Sequence, residues 1–305
     1  MISRRTLLRG STAFLAGTAA LSGYAFGVEP QRLLVTRYQL KPAGWPTGFK
    51  LRICALSDIH AVHPMMSLER IHRIVASANA LKPDVSLLLG DYMRGSTSGW
   101  SIPAAEWAPV LAELRAPLGV HAIQGNHDWW DDPVAQANRH GPTQTQLALE
   151  ANGIPVYDNK AARFSKDGQP FWIAGLADQL ALLPSRKAGR SWPIGFADLP
   201  ATLAQVTDQA PILLMAHEPD IFTRVPARVS LTLSGHTHGG QVRLFGYSPI
   251  VPSHYGNRFA YGHIQEGGRN LIVSGGLGCS SVLPIRLGVP PEIVLIDLGG
   301  PETAA

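Results

Sequence analysis

The chain has little cysteine, no concentrated charge and no long uninterrupted apolar run. Only Cys54 and Cys279 occur among 305 residues, which excludes a disulfide-dense secreted scaffold. Cys54 lies in an apolar run, where a buried free thiol is expected; a bridge between the two stays open at this level. The net charge is +4, but Arg4, Arg5 and Arg9 stand in the first ten residues and no acid precedes Glu29. Without those three arginines the balance is 23 basic against 22 acidic residues, or +1. No compact Lys/Arg block remains, so the composition argues against a nucleic-acid partner. There is no repeat of constant period and no low-complexity tract, so neither a solenoid nor disorder away from the ends is expected. Gly275-Gly276-Leu277-Gly278 lacks the following Lys-Ser/Thr of a nucleotide P-loop.

What is present points to one large domain. Hydrophobic residues make up 45%, with 31 Gly and 24 Pro, enough for a substantial core with tight loops on a strand framework. Residues 1–27 form a basic start followed by a short apolar, small-residue stretch. The paired Arg4-Arg5 resembles a twin-arginine export signal, with Ala25-Phe26-Gly27 as a cleavage site. The alternative is an uncleaved N-terminal anchor, though the stretch is short and glycine-interrupted beside the ~20 apolar residues of a spanning helix. The expectation is export through the twin-arginine machinery to the periplasm, the cell envelope or the membrane periphery, with membrane-surface contact open. Residues 28–48 read as a linker and an edge strand, 49–298 as the domain, and 299–305 as a tail.

Within the domain, short apolar runs alternate with helical periodicity. Runs at 51–57, 85–89, 120–124, 212–216 and 231–233 read as buried strands. Residues 67–81 carry apolar side chains at Leu68, Ile71, Ile74, Val75 and Ala78, with Ser67 as a cap and Pro83 beyond the end. Further helices are expected over 104–114, 143–152 and 199–206. Shorter strands are expected over 154–157, 162–165, 171–174, 241–244, 271–274 and 293–298. This rhythm argues for α/β architecture with parallel elements.

The polar residues that matter sit just after the apolar runs. In order they are Asp58, His60, Asp91, Asn126, His127, Asp128, His217, His236 and His238. In Ser234-Gly235-His236-Thr237-His238-Gly239-Gly240-Gln241 the histidines are one residue apart, so an extended segment would turn both to one site. Mixed carboxylate, amide and imidazole ligands suit Mn, Zn or Fe better than Ca. No thiol takes part, which excludes a structural zinc knot. The ligands are too many for one tetrahedral ion and suit two ions sharing a carboxylate.

Asp58-Ile59-His60, Gly90-Asp91, Gly125-Asn126-His127-Asp128, His217 and Gly235-His236-Thr237-His238, in this order, resemble the motifs of the calcineurin-like metallophosphoesterase family. Gly239-Gly240-Gln241, the N-terminal arginines and Pro290-Pro291-Glu292 resemble a branch of bacterial exported or membrane-associated phosphodiesterases. More loosely, the chain is similar to enzymes that cleave UDP-2,3-diacylglucosamine in lipid A synthesis. The resemblance implies a four-layer αββα sandwich, two mixed β-sheets flanked by helices. It implies one metal on Asp58, His60 and His238, a second on Asn126, His217 and His236, and Asp91 bridging them. His127 would protonate the departing oxygen, with Asp128 orienting it. The implied reaction is hydrolysis of a phosphodiester or pyrophosphate by hydroxide generated between the ions. A phosphomonoesterase is the nearest alternative, and a non-catalytic metal-binding interaction module is the alternative of another class. Trp129 and Trp130 read as wall or core residues, while Arg94, Arg243 and Arg286 are candidates to meet a phosphate. His63, near the first motif, is a candidate to line the pocket. His72, His121, His140, His254 and His263 are assigned no role.

Overall fold

The computed structural model describes residues 4–93, 99–185, 191–279 and 284–300. Arg94 lies outside them. The chain opens with α1 (Arg4–Gly23), then β1 (Leu34–Leu40), β2 (Leu51–Leu56), a two-residue β3 (Val62–His63), α2 (Leu68–Ala80) and β4 (Val85–Leu88). A two-residue β5 (Trp100–Ser101), α3 (Ala104–Leu111), β6 (Val120–Ala122), α4 (Asn126–Trp130), α5 (Pro133–Asn138) and α6 (Gln144–Ala151) follow. The second half contains β7 (Lys160–Lys166), β8 (Gln169–Gly175), α7 (Leu199–Ala204), β9 (Ile212–Met215), β10 (Leu231–Ser234), β11 (Gly262–Glu266), β12 (Arg269–Val273) and β13 (Glu292–Leu298).

Two mixed sheets result, of order β1-β13-β2-β4-β6 and β11-β12-β10-β9-β8-β7. Alternation along each strand decides how they stack. Leu51, Ile53 and Ala55 of β2 share one core with Phe171 and Ile173 of β8 and Leu213 and Met215 of β9. Their neighbours Cys54 and Leu56 turn the other way, onto Ile71 and Ile74 of α2 and Trp107 and Leu111 of α3. Trp172, Ala174, Ile212 and Leu214 turn from the second sheet onto Leu199, Phe222 and Phe259. Truncating one inter-sheet side chain, such as Leu213→Ala, is expected to cost ~2–5 kcal/mol. The layers are therefore α, β, β and α as expected. The fourth is thin among the described residues: α7 is six residues long, joined by 3₁₀ turns at Pro219–Arg224 and Gly256–Phe259.

Caps start the helices where the sequence places them. The Ser67 hydroxyl accepts from the Arg70 amide, and Thr143 accepts from the Gln146 amide. Two expected strands need adjustment. Residues 241–244 and 154–157 make only isolated bridges, Val242–Leu287, Leu244–Tyr247 and Ala122–Val156. β11 alternates between exposed and half-buried positions, so it carries no apolar run to announce it. Within residues 28–48 the edge strand forms as β1. β1 pairs with β13 along all seven residues, and Ala25, Glu29 and Pro30 are buried. The Arg70 guanidinium donates to the Pro30 carbonyl and to Gln31 Oε1. Cys54 and Cys279 are both free thiols. No described helix is long and apolar enough to cross a membrane.

Candidate metal centre

β2, β4 and β6 run parallel, as do β9 and β10. Their carboxyl ends therefore open on one edge of each sheet, the location expected of functional loops. Asp58 and His60 follow β2, Asp91 follows β4, Asn126 opens α4 after β6, His217 follows β9, and His236 and His238 follow β10. Five of these residues have left-handed backbone: Asp58 (φ 53°), His60 (φ 48°), Asp91 (φ 58°), His236 (φ 68°) and His238 (φ 50°). Such conformations cost ~1–3 kcal/mol each and gather where a site requires them. Gly235 is required by close approach: a Cβ there would lie 1.8 Å from Ser57 Oγ and 2.4 Å from Asp58 Oδ2.

The ligand atoms converge as two groups, Asp58 with His60 and His238, and Asp91 with His217 and His236, the atoms of each within 4.8 Å of one another. His60 Nε2 lies 3.1 Å from His238 Nε2 and 3.8 Å from Asp91 Oδ2. His217 Nε2 lies 3.2 Å from Asp91 Oδ2 and 4.0 Å from Asp58 Oδ1. His236 Nδ1 lies 2.8 Å from Asn126 Oδ1, which adds Asn126 to the second group. Asp91 thus stands between the two groups. The residues fit a pair of metal ions by their tautomers. His60 Nδ1 donates to the Met93 carbonyl at 2.9 Å and His217 Nδ1 to the Leu89 carbonyl at 2.7 Å. Each bond leaves the Nε2 lone pair turned into the cluster. His217 Nε2 is buried without a hydrogen-bond partner.

Burial and mutual charge shift every titratable group of the cluster. Burial pushes the Asp58 carboxyl up to about 6, against the pull of His217. Burial would also raise Asp91, but His217 and His127 hold it well below the usual carboxylate range. Burial drives His60 down to about 4 and lowers His236. His238 is pushed well below its usual value by burial, then by His60 and Arg286. Burial also acts to lower His217, yet Asp91 and Asp58 lift it well above the usual histidine range. The neutral imidazoles of His60, His236 and His238 beside the ionised Asp91 are a donor set that divalent cations satisfy, and cation binding would displace the proton that Asp91 and Asp58 hold on His217.

His127 stands on the wall of the site, its ring 5.3 Å from His60 and 5.2 Å from Trp130 between centroids. Asp128 does not orient it, contrary to the expectation. Both Asp128 oxygens are taken by the amides of Asp91, Tyr92, Met93 and Gly125 and by the Thr145 hydroxyl, at 2.9–3.2 Å. The His127 amide donates to Asp91 Oδ1 at 2.8 Å, while the His127 ring pairs instead with Asp131, whose Oδ2 lies 4.0 Å from Nδ1. The i,i+4 spacing would have found it once residues 126–130 were seen as a helix. Arg286, fully buried, points Nη2 at His238 Nδ1, 3.4 Å away. Sequence reasoning missed Glu218, buried beside His217 with Oε1 unpartnered, and Gln179, whose amide donates to it.

A cavity of ≈ 1340 Å³ opens from the cluster. Asp91, Asn126, His127, His236 and His238 line one end; Trp130, Trp192, Pro249, Ile250, Tyr255 and Ile285 are among the apolar walls. Trp129 packs instead in the core against Phe196. Arg243 is turned to Ser248 and Asn257, and His63 pairs across β3–β5 outside the cavity lining. The 275–278 loop backs the first motif, with the Leu277 amide donating to Ser57 O and the Gly278 amide to Asp58 O. Glu292 secures that loop by accepting from the Gly275 amide at 2.7 Å.

Comparison with known proteins agrees with this geometry. Residues 51–240 match the model of the family described as calcineurin-like phosphoesterase. The chain is 31% identical to the uncharacterized metallophosphoesterase YkuE of Bacillus subtilis, covering 97% of this chain and 98% of that one. It is 30% identical to phosphodiesterase YaeI of Escherichia coli, covering 98% and 100%, and 28% identical to an uncharacterized metallophosphoesterase of Aquifex aeolicus, covering 92% and 98%. The chain therefore belongs to the calcineurin-like phosphoesterase family, as a phosphoric ester hydrolase with a dimetal His/Asp site.

Proposed function

We propose that the chain hydrolyses a phosphodiester or pyrophosphate bond in an amphiphilic substrate, lipid-linked or a nucleotide-sugar lipid such as UDP-2,3-diacylglucosamine. The observation that carries this reading is the cavity: the ligand cluster lies at one end, and Trp130, Trp192, Pro249, Ile250 and Ile285 give it apolar wall beside polar groups such as Gln179, Asp220 and Arg224. A small polar phosphomonoester would leave those walls wet, whereas an acyl or isoprenoid chain would cover them. The likeness to YaeI, named a phosphodiesterase, supports the bond type.

Two divalent ions, of Mn, Zn or Fe type, supply a water of lowered pKa and positive charge for the phosphoryl oxygens when bound. Asp58, His60 and His238 would hold one; Asn126, His217 and His236 the other; Asp91 would serve both. The oxygen of water forms the new bond to phosphorus as the bond to the leaving oxygen breaks. His127, facing the cavity, gives its proton to that leaving oxygen. Trp130 packs edge-on against His127 and keeps bulk water from its ring.

Turnover of bis-p-nitrophenyl phosphate, p-nitrophenyl phosphate and a lipid-linked pyrophosphate by the metal-loaded protein tests this reading. Preference for the diester and the lipid pyrophosphate is expected. Preference for the monoester would make the chain a phosphomonoesterase, and no turnover with two ions bound would leave a non-catalytic metal-binding module. Arg4-Arg5 and the apolar stretch behind them support export by the twin-arginine route to the cell envelope. Cell fractionation of the wild type and of Arg4→Lys/Arg5→Lys tests that, with retention of the variant in the cytoplasm as the expected outcome.

A further inference from the structure

Gly239-Gly240-Gln241 has no ligand to contribute, yet it has a mechanical task. Gln241 O accepts from the Leu287 amide and the Arg243 amide donates to Leu287 O, both at 2.8 Å. From this short ladder the chain rises into a tight turn, closed by reciprocal amide–carbonyl bonds between Leu244 and Tyr247 at 2.9 and 3.0 Å. The turn is fastened to the metal-ligand loop. Ser248 Oγ donates to Gly239 O at 2.7 Å, and Asn257 binds both the amide and the carbonyl of Ser248. Gly240, at φ 77°, is where they touch: a Cβ there would lie 2.5 Å from Ser248 Cβ and 2.6 Å from Ile250 O.

The tip of this braced turn is Phe245-Gly246, both at positive φ, 51° and 80°. Asn-Gly or Asp-Gly suits such a tip; phenylalanine pays a backbone cost there. Phe245 is nevertheless 108% exposed and Ile250 78% exposed, with Leu244 and Tyr247 also exposed. Leu244, Phe245 and Tyr247 line neither the cavity nor the ligand groups. The same edge receives the end of α1, because the Arg286 amide donates to the Ala25 carbonyl at 3.0 Å. Phe26 and Val28 are exposed just beyond it. Ile250 and Ile285 also line the cavity, so the apolar tip, the end of α1 and the cavity belong to one neighbourhood.

We propose that the Leu244–Ile250 turn, with Phe26 and Val28, is a docking surface for an anionic lipid bilayer. A rigid turn tipped by phenylalanine and tyrosine suits shallow burial at the headgroup boundary. Where α1 is retained as an uncleaved anchor, Arg4, Arg5 and Arg9, with no acid before Glu29, complement an anionic surface. The contact is interfacial, made by the exposed side chains of the turn. It gives an amphiphilic phosphoester a path from the bilayer into the cavity, and in that respect rests on the lipid-linked reading above; the contact itself needs no substrate.

Flotation of the full chain with phosphatidylethanolamine/phosphatidylglycerol vesicles and with phosphatidylcholine vesicles tests the proposal, beside Phe245→Asp/Tyr247→Asp. The wild type should float with the anionic vesicles, and the double variant should lose about tenfold or more of that partitioning. Turnover of soluble bis-p-nitrophenyl phosphate should be unchanged in the variant, which also shows that it is folded. A wild type that stays off anionic vesicles, or a variant that floats equally well, overturns the proposal. So does size-exclusion chromatography showing that the substitutions dissociate a dimer without changing flotation, because the turn would then be an interface between copies. Vesicle binding without turnover of lipid-linked phosphoesters would overturn the substrate reading and leave the docking surface standing.

Discussion

Asp128 Oδ2 accepts the Asp91 amide at 2.9 Å, and so ties the loop after β6 to the residue that stands between the two ligand groups. The same oxygen takes the Gly125 amide, while Oδ1 takes the amides of Tyr92 and Met93. One carboxylate thus satisfies four backbone donors of two ligand loops. Its bonds reach the loops that carry Asp91 and Asn126, and none of them goes to the His127 ring.

Asp128→Asn should therefore weaken metal binding before it alters chemistry. Its amide group turns N–H donors toward backbone N–H groups, leaving one or more unsatisfied at ~1–3 kcal/mol each. A loss of ~10–100-fold in metal affinity is expected. Metal titration and thermal unfolding of the variant measure both, and saturating metal should restore most of the turnover.

His127→Ala should behave in the opposite way. Metal content should stay at two ions per chain, while turnover falls ~10²–10⁴-fold for an alkoxide leaving group. The loss should be much smaller with p-nitrophenolate, which departs without a proton. An equal loss with both leaving groups would remove His127 as the proton donor.

Chelation should destabilise the protein. With each site held at about a hundred times its Kd, two ions contribute about 5 kcal/mol, on the order of 10 °C in Tm for a domain of this size. Calorimetry before and after chelation, and again after metal is restored, measures it.

The two thiols should separate cleanly by reactivity. Burial pushes the Cys54 thiol up to about 12, whereas Cys279 is only partly buried. A thiol reagent should modify one cysteine in the native protein, and Cys54 about a thousandfold or more slowly, through unfolding. Rapid modification of both would contradict the packing of β2.

Asp208 carries a pH signature away from the metals. Bonds from Trp172, Arg163 and the Ala210 amide hold its carboxyl at about 2. Since the folded value lies below the unfolded ~3.9, the stabilisation is complete above about pH 4–5 and fades as pH falls toward about 2. The difference in urea midpoint between wild type and Asp208→Asn should be constant near neutrality and shrink below about pH 4.

The sequence by itself determined the candidate ligand residues and the order of their supports. Asp58, His60, Asp91, Asn126, His217, His236 and His238 each follow an apolar run, because buried strands need such runs and parallel strands deliver their ends to one edge. The mixed oxygen and nitrogen chemistry was legible for the same reason. What escaped were elements without an apolar signature, such as β11, and packing that no periodicity encodes, such as Ala25 against Arg286. Only the tertiary structure decided that Asp128 serves backbone amides while Asp131 stands by His127. Hydrogen-bond partners depend on how loops distant in sequence meet, and the amides of two such loops with the Thr145 hydroxyl fill the oxygens of Asp128. Only the fold, likewise, placed an exposed Phe245 on a turn seated against Gly240, where the seat depends on a close approach that spacing along the chain does not reveal.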